Sequence, residues 1–291
     1  MILFKYFSFL QYLKNIIIFI PLFFEYNLLL DSSNYLIFLS SFTSLCVAAQ
    51  SIYILNDLKD KDSDKIIGKK NIFNRAERPI RTSEIIICLS LLSLFNIFLL
   101  YYLFLYSVVI VNLLISYYLI NFSYNYFLKK IIYLDVILIA SLYVIRILIG
   151  LEFLSERNSY NDSVIYIFLG SLFLLSTKRY IYHSKISLLG NTSITKFTSY
   201  NKKNIKYFLY FSFIIMNVFC FFFLMSFDDF NFSFELLINL LLQLLVLSTS
   251  YFYMKDTLSG HLGLDIVKNI LKFKYLIPAT IFIILYILFK T

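Results

Sequence analysis

Acidic side chains are scarce in this chain. Asp and Glu supply 17 of its 291 residues, and tryptophan is absent. Cysteine and histidine are rarer still, at three and two. Cys46, Cys88 and Cys220 are scattered through apolar runs, without ligand spacing or a pairing framework, so they read as small core residues. His183 and His261 stand isolated in predicted loops and form no HExxH-like arrangement, which argues against a zinc or haem centre. No small-residue cleavage site follows the first apolar stretch, so no cleaved signal peptide is expected. The 33 Phe and 25 Tyr, beside plentiful Ile, Asn and Lys, match the codon bias of an AT-rich genome. The aromatics therefore carry no weight beyond lipid contact and interface anchoring.

What remains is overwhelmingly apolar: 60% of residues are hydrophobic and 15% charged, which excludes a soluble domain. Apolar stretches of about 17 to 25 residues recur, each able to cross a hydrocarbon core of roughly 30 Å as a helix. The fold class expected is all-α: a polytopic membrane protein forming a single transmembrane domain over residues 1–291. Nine spans are predicted, near 14–30, 35–55, 84–104, 106–122, 131–150, 163–178, 207–227, 233–253 and 275–290.

The basic residues test this layout. With the N-terminal segment and alternate loops on one side, that side collects 23 of the 26 Lys and Arg, while acids such as Asp31, Glu152 and Asp228 fall opposite. Such asymmetry puts the basic side in the cytoplasm, with the N-terminus inside and the C-terminus outside. The net charge of +9 thus has a topological cause, and nucleic-acid binding is not needed to explain it. Room for chemistry outside the membrane is expected only in the basic loops 56–83 and 179–206.

Against this scarcity, four aspartates crowd into Asp57–Asp64. At 100° per helical residue, Asn56, Asp57, Asp60 and Asp64 fall within an arc of about 100°, and Asp62 points the other way. Three carboxylates and an amide on one face at a membrane surface suit a hard cation such as Mg²⁺, which in turn binds a diphosphate. A solvated acidic loop is the plain alternative. Arg75 and Arg78 follow, one helical turn apart, able to flank one ligand phosphate or simply to anchor the loop.

Two further ionisable groups, Asp135 and Arg146, lie within the fifth predicted span, where a lone charge costs several kcal/mol. Eleven residues apart, they share a face but stand roughly 16 Å apart along the axis, too far for direct neutralisation. Each needs its own partner or a hydrated cavity, although Asp135 could snorkel to the surface. Lys178 and Arg179 are predicted to close the sixth span, where cations favour a helix C-terminus in any case. Lys14 and Lys129 likewise sit at predicted cytoplasmic helix ends.

With these residues in view, the chain resembles the UbiA superfamily of intramembrane transferases. Asn56, Asp57, Asp60 and Asp64 match its NDxxDxxxD signature in full. Within it, the chain is most similar to the branch of decaprenyl-phosphate phosphoribosyltransferases. Gln11-Tyr-Leu-Lys14-Asn15 with Pro21-Leu22 resembles that branch's QWxKN...PL opening, and Arg75-x-x-Arg78-Pro79-Ile80 its KxxRPI. Tyr124 to Lys129, Leu134-Asp135-Val136 and Tyr143-Val144-x-Arg146 through Gly150 resemble YSxxLK...LDV...YVLRxxAG. Gly170 to Tyr180 resembles GSLFxxSxKRY. The likeness covers residues 11 to 182. Beyond about residue 207 it rests on helix count and a weak loop from Gly260 to Asp265.

Three departures stand out. The His-Pro after the aspartates is replaced within a longer loop, Tyr182 occupies a usually acidic position, and no Asp or Glu occurs from Ser163 to Phe227 to supply a second acidic motif. The last puts a second metal in doubt.

The resemblance implies a helical bundle with a central cavity open to the cytoplasm. It implies Mg²⁺-dependent transfer of 5-phosphoribose from phosphoribosyl diphosphate to a polyprenyl phosphate in the cell envelope, releasing diphosphate. Asn56, Asp57, Asp60 and Asp64 would hold the metal, with the three aspartates catalytic. Substrate contacts would come from Lys14, Asn56, Arg75, Arg78 and Tyr124, and from Lys129, Asp135, Arg146, Lys178 and Arg179. The lipid bilayer houses the acceptor's tail. The same superfamily offers an alternative, an aromatic prenyltransferase using a prenyl diphosphate. A transporter or scaffold using intramembrane charges accounts for Asp135 and Arg146 but not for the one-faced aspartates.

Overall fold

The computed structural model describes residues 12–21, 32–61, 82–154, 161–188, 201–225, 234–272 and 274–275. Every regular element among them is helical: α1 Ser32–Lys59, α2 Thr82–Phe104, α3 Val108–Tyr126, α4 Leu134–Leu151, α5 Asn161–Leu188, α6 Lys202–Met225, α7 Phe234–Leu258 and the short α8 Ile266–Ile270. Two 3-10 segments, Leu13–Phe19 and Leu128–Lys130, complete the set. Seven helices are long and apolar enough to cross a membrane: Asn34–Lys59, Thr82–Phe104, Val108–Tyr126, Leu134–Leu151, Val164–Lys185, Lys203–Phe222 and Leu237–Leu258. They correspond to the second through eighth predicted spans. The ninth span beyond Tyr275 lies outside the described residues. So does most of the first, whose described start is a 3-10 segment.

The helices run past the hydropathy boundaries at two places. α1 continues through Asn56 and Asp57 to Lys59, and α5 continues through Lys178 and Arg179 to Leu188. Charge ends an apolar window, but Lys and Arg are good helix formers, so it need not end a helix. His183 consequently sits within α5 rather than in a loop.

The described elements divide into two compact units, one reaching Val164 and the other starting at Ile165. In the first, Ile18, Phe38, Leu45, Ala49, Leu114 and Leu142 form a shared core from the 3-10 segment, α1, α3 and α4. Phe38 anchors it, edge to face with Phe19 at 4.9 Å and with Phe153 at 5.1 Å. α2 buries Ile85, Cys88, Leu92, Asn96, Leu99 and Leu103 at three- and four-residue spacing. Its other faces leave Ile86, Leu94, Phe98 and Tyr101 exposed, as a lipid-facing helix does. Ser44 Oγ donates to Asn96 Oδ1 at 2.6 Å, and Asn96 donates to Tyr118, so a polar link joins α1, α2 and α3. Such pairs matter where no water competes for the groups. In the second unit, Cys220 packs with Ile238, Leu242 and Val246, while Ser176 of α5 and Ser212 of α6 pair at 2.9 Å. All three cysteines are free and buried, as their apolar settings predict.

Gly150 near the end of α4 marks a close backbone approach. A Cβ there would lie 2.3 Å from the Ile18 carbonyl oxygen and 3.1 Å from Pro21 Cγ. Gly150→Ala is therefore expected to destabilise the protein by about 1–3 kcal/mol, despite alanine's better helix propensity. A thermal midpoint in detergent equal to or above that of the parent would show that the 3-10 segment yields freely.

Candidate functional site

α1 carries the start of the acidic motif, through Asn56 and Asp57 to Lys59, as an unbroken helix. Asp60 N donates to Asn56 O at 2.9 Å, so the helical turn persists through the first half of the motif. Asn56, Asp57 and Asp60 thus share the predicted face, with Asp57 and Asp60 buried at 6% and 7% exposure. Asp62, Asp64, Arg75 and Arg78 lie outside the described residues. Among the described residues, no three His, Cys, Asp or Glu side chains gather as a metal-holding group.

The 3-10 turn after α3 reaches back to this face. Lys129 Nζ donates to Asn56 Oδ1 at 3.3 Å and to Asp60 Oδ2 at 2.5 Å, and lies 5.9 Å from the centre of the Tyr124 ring. The link is reciprocated from α1: Lys59 donates to the Asn125 carbonyl and sits 4.7 Å from the Tyr126 ring centre. Asn56, Asp60, Tyr124 and Lys129 are therefore brought together, and Lys129 is an ion-pair partner of Asp60 rather than a mere helix-end anchor. Two oxygens converge on the ammonium, and hard oxygens of this kind are the donors that Mg²⁺ takes. The described donors fit a divalent cation to that extent.

Tyr133 follows, in left-handed backbone with φ 64°, a strained geometry for an aromatic residue. It turns the chain from the lysine-bearing segment into α4. Asp135 lies in the first turn of α4, where a carboxylate favours the helix N-terminus, and it is 0% exposed. Snorkelling to the surface is thereby overturned.

Arg146 sits deeper on α4 at 3% exposure. Its Nε donates to Asn15 Oδ1 at 2.9 Å, Nη1 to Leu142 O at 2.8 Å and Nη2 to Tyr117 OH at 3.0 Å. The guanidinium carbon lies 5.1 and 4.8 Å from the ring centres of Tyr117 and Tyr143. Asn15 passes the chain on to Cys46 Sγ at 3.3 Å. Nearby, Tyr12 OH donates to Gln50 Oε1 at 2.9 Å, and Lys14 Nζ stands 5.6 Å from the Tyr53 ring centre.

Cys46, Gln50, Tyr53 and Asp57 on α1, and Asp60 just past its end, recur at three- and four-residue spacing, so one polar stripe runs from the motif down into the bundle. Sequence reasoning missed Gln50 and Tyr53. Their spacing back from Asp57 was the available signal, hidden because tyrosine is common everywhere in this chain.

Lys178 and Arg179 belong to the second unit. They lie inside α5, whose last turn holds Lys185, so they do not close the helix as predicted. Arg179 is 6% exposed and Tyr180 8%. A helix-terminus explanation for these cations therefore fails. Compared with models of known families and with curated proteins, the chain matches none.

Proposed function

We propose that this protein transfers 5-phosphoribose from phosphoribosyl diphosphate to a polyprenyl phosphate at the cytoplasmic face of a cell membrane, releasing diphosphate. The observation that carries the reading is the end of α1, where Asn56 and Asp60 turn their oxygens onto one cation position beside buried Asp57. The likeness to the UbiA superfamily supplies the chemistry. The reading includes nine spans around a cavity open to the cytoplasm, with the N-terminus inside and the C-terminus outside.

Bound Mg²⁺ would neutralise the donor's diphosphate and ease its departure. Asn56, Asp57 and Asp60, with Asp64, would hold that ion. Lys129 places positive charge beside the same face, where the diphosphate's oxygens would lie. The anomeric carbon–oxygen bond to diphosphate breaks and a bond to a lipid phosphate oxygen forms. The lipid phosphate is already an anion, so no strong general base is required.

Membranes containing the protein, assayed with Mg²⁺, test this directly. Labelled phosphoribosyl diphosphate with polyprenyl phosphate should yield lipid-extractable ribose label. A prenylated aromatic from prenyl diphosphate and a hydroxybenzoate, with no lipid-linked ribose, would replace the reading with an aromatic prenyltransferase. If the helical period continues, Asp62 would point away from the motif face, so Asp62→Ala should leave turnover within about threefold of the parent. A loss as severe as that of Asp57→Ala would mean that the motif does not continue as a helix.

A further inference from the structure

We infer that one end of the second unit is a docking surface for anionic phospholipid headgroups, built from exposed lysines of α5, α6, α7 and the segment that follows α7. The inference does not depend on the transfer reaction proposed above.

Contacts inside the unit set the level of these lysines. Ser176 of α5 pairs with Ser212 of α6 at 2.9 Å, and the Phe173 ring centre lies 5.9 Å from that of Phe213 and 6.1 Å from that of Tyr253. Asn217 of α6 donates to Ser250 of α7 at 3.2 Å. α6 therefore runs antiparallel to both α5 and α7. Counted at about 1.5 Å per residue from the Phe173 level, Lys185, Lys203, Lys206 and Lys255 all fall on one side of it, within roughly 20 Å. The segment after α7 brings Lys268 and Lys272 to the same end. Lys272 Nζ donates to the His261 carbonyl at 3.3 Å, and two hydrogen bonds tie the Asn269 side chain to Gly263. The apolar windows stop here too, at Lys185, Lys203 and Leu258, so this end meets the headgroup region of a bilayer that the three helices cross.

Charge at this end is one-sided. All six lysines are exposed. The sequence has no Asp or Glu from Ser163 to Phe227, and after Glu235 it has only Asp256 and Asp265. Asp256 is already held by Lys274 and by the Tyr275 hydroxyl. Lys203 and Lys206 lie 6.0 and 5.8 Å from the ring centres of Tyr207 and Tyr210 in their own helix, contacts that leave their charge uncancelled. Among the described residues, none of the six is paired with a carboxylate.

Their neighbours favour lipid over a soluble anion. Tyr207 follows Lys206, Tyr251 and Phe252 precede Lys255 by about one turn, and Leu271 precedes Lys272; each of these apolar side chains is at least 49% exposed. Rings and aliphatic groups interleaved with ammoniums suit a bilayer interface, where the former enter the acyl region and lysines reach up to the phosphates. Clustered lysines at such a boundary attract anionic lipids, and the attraction weakens as salt screens it.

The test uses full-length protein in phosphatidylcholine nanodiscs carrying a trace of spin-labelled phosphatidylglycerol or spin-labelled phosphatidylcholine. The fraction of each label immobilised by the protein is read by paramagnetic resonance. The parent should hold phosphatidylglycerol about threefold over phosphatidylcholine at low salt, with the preference falling towards parity in high salt. Equal retention of the two labels overturns the inference without recourse to any variant. Replacing Lys203→Gln, Lys206→Gln, Lys255→Gln and Lys268→Gln together should remove more than half of the preference. A folded variant that keeps the parent's preference places the lipid contact elsewhere and overturns the assignment. Should the fourfold variant not fold, Lys203→Gln and Lys268→Gln must each lower the preference singly, and no change in either has the same consequence. Inorganic phosphate at matched ionic strength should leave the preference intact; if it abolishes it, the ammoniums hold a soluble anion and the lipid assignment fails.

Discussion

Replacing Asp57 by alanine is expected to lower Mg²⁺-dependent transfer by about 100-fold or more while leaving membrane insertion intact. The magnitude is that of removing one group that stabilises charge on a departing anion in a water-poor site. Insertion should survive because α1 is apolar over most of its length and its packing residues, Phe38, Leu45 and Ala49, lie well before the motif. Asp57→Asn keeps the size of the side chain and removes its charge, so it should fall almost as far. Rate assays across a Mg²⁺ titration decide the point. If high Mg²⁺ restores most of the activity of Asp57→Asn, the residue contributes affinity alone. Near-normal turnover of either variant at ordinary Mg²⁺ would remove Asp57 from the seat.

Arg146→Leu is expected to cost about 2 kcal/mol of stability, seen as a lower thermal midpoint in detergent, as well as any catalytic loss. The guanidinium fork spans three elements: the 3-10 segment at Asn15, α3 at Tyr117 and its own helix at Leu142. Leucine removes the cost of burying a charge, which offsets part of the damage. It also leaves the Asn15 amide oxygen and the Tyr117 hydroxyl without their donor in a buried, apolar setting. Arg146→Lys keeps the charge but cannot reproduce a planar fork, so its midpoint should fall between those of the parent and the leucine variant. A leucine variant with an unchanged midpoint and impaired transfer would make Arg146 a ligand contact rather than a cross-link of the fold.

The span pattern was legible because bilayer crossing demands long apolar segments, and seven such helices stand where hydropathy places them. Their ends were less legible. Asn56, Asp57, Lys178 and Arg179 break an apolar window, yet the backbone hydrogen bonds of a helix are indifferent to that break. Asn56, Asp57 and Asp60 could be assigned to one face from the helical period alone. The ion pair of Asp60 with Lys129 could not, since Lys129 lies far along the chain on a different element. Arg146 stood out as an expensive charge within a span, but its partners Asn15 and Tyr117 come from separate segments.

By itself, the amino-acid order determined that the chain is helical, that several of its helices are long and apolar enough to cross a membrane, and that Asn56, Asp57 and Asp60 share one face at the end of a helix. These follow from local periodicity and from the energetic cost of polar groups in hydrocarbon. Tertiary structure alone decided which face of the all-apolar α2 is buried, why position 150 must lack a side chain, and which cations meet Asp60 and Asn15. Those outcomes depend on which helices become neighbours. In a helix as apolar as α2, hydrophobicity ranks its faces weakly, so the choice falls to packing shape and to a few buried polar pairs.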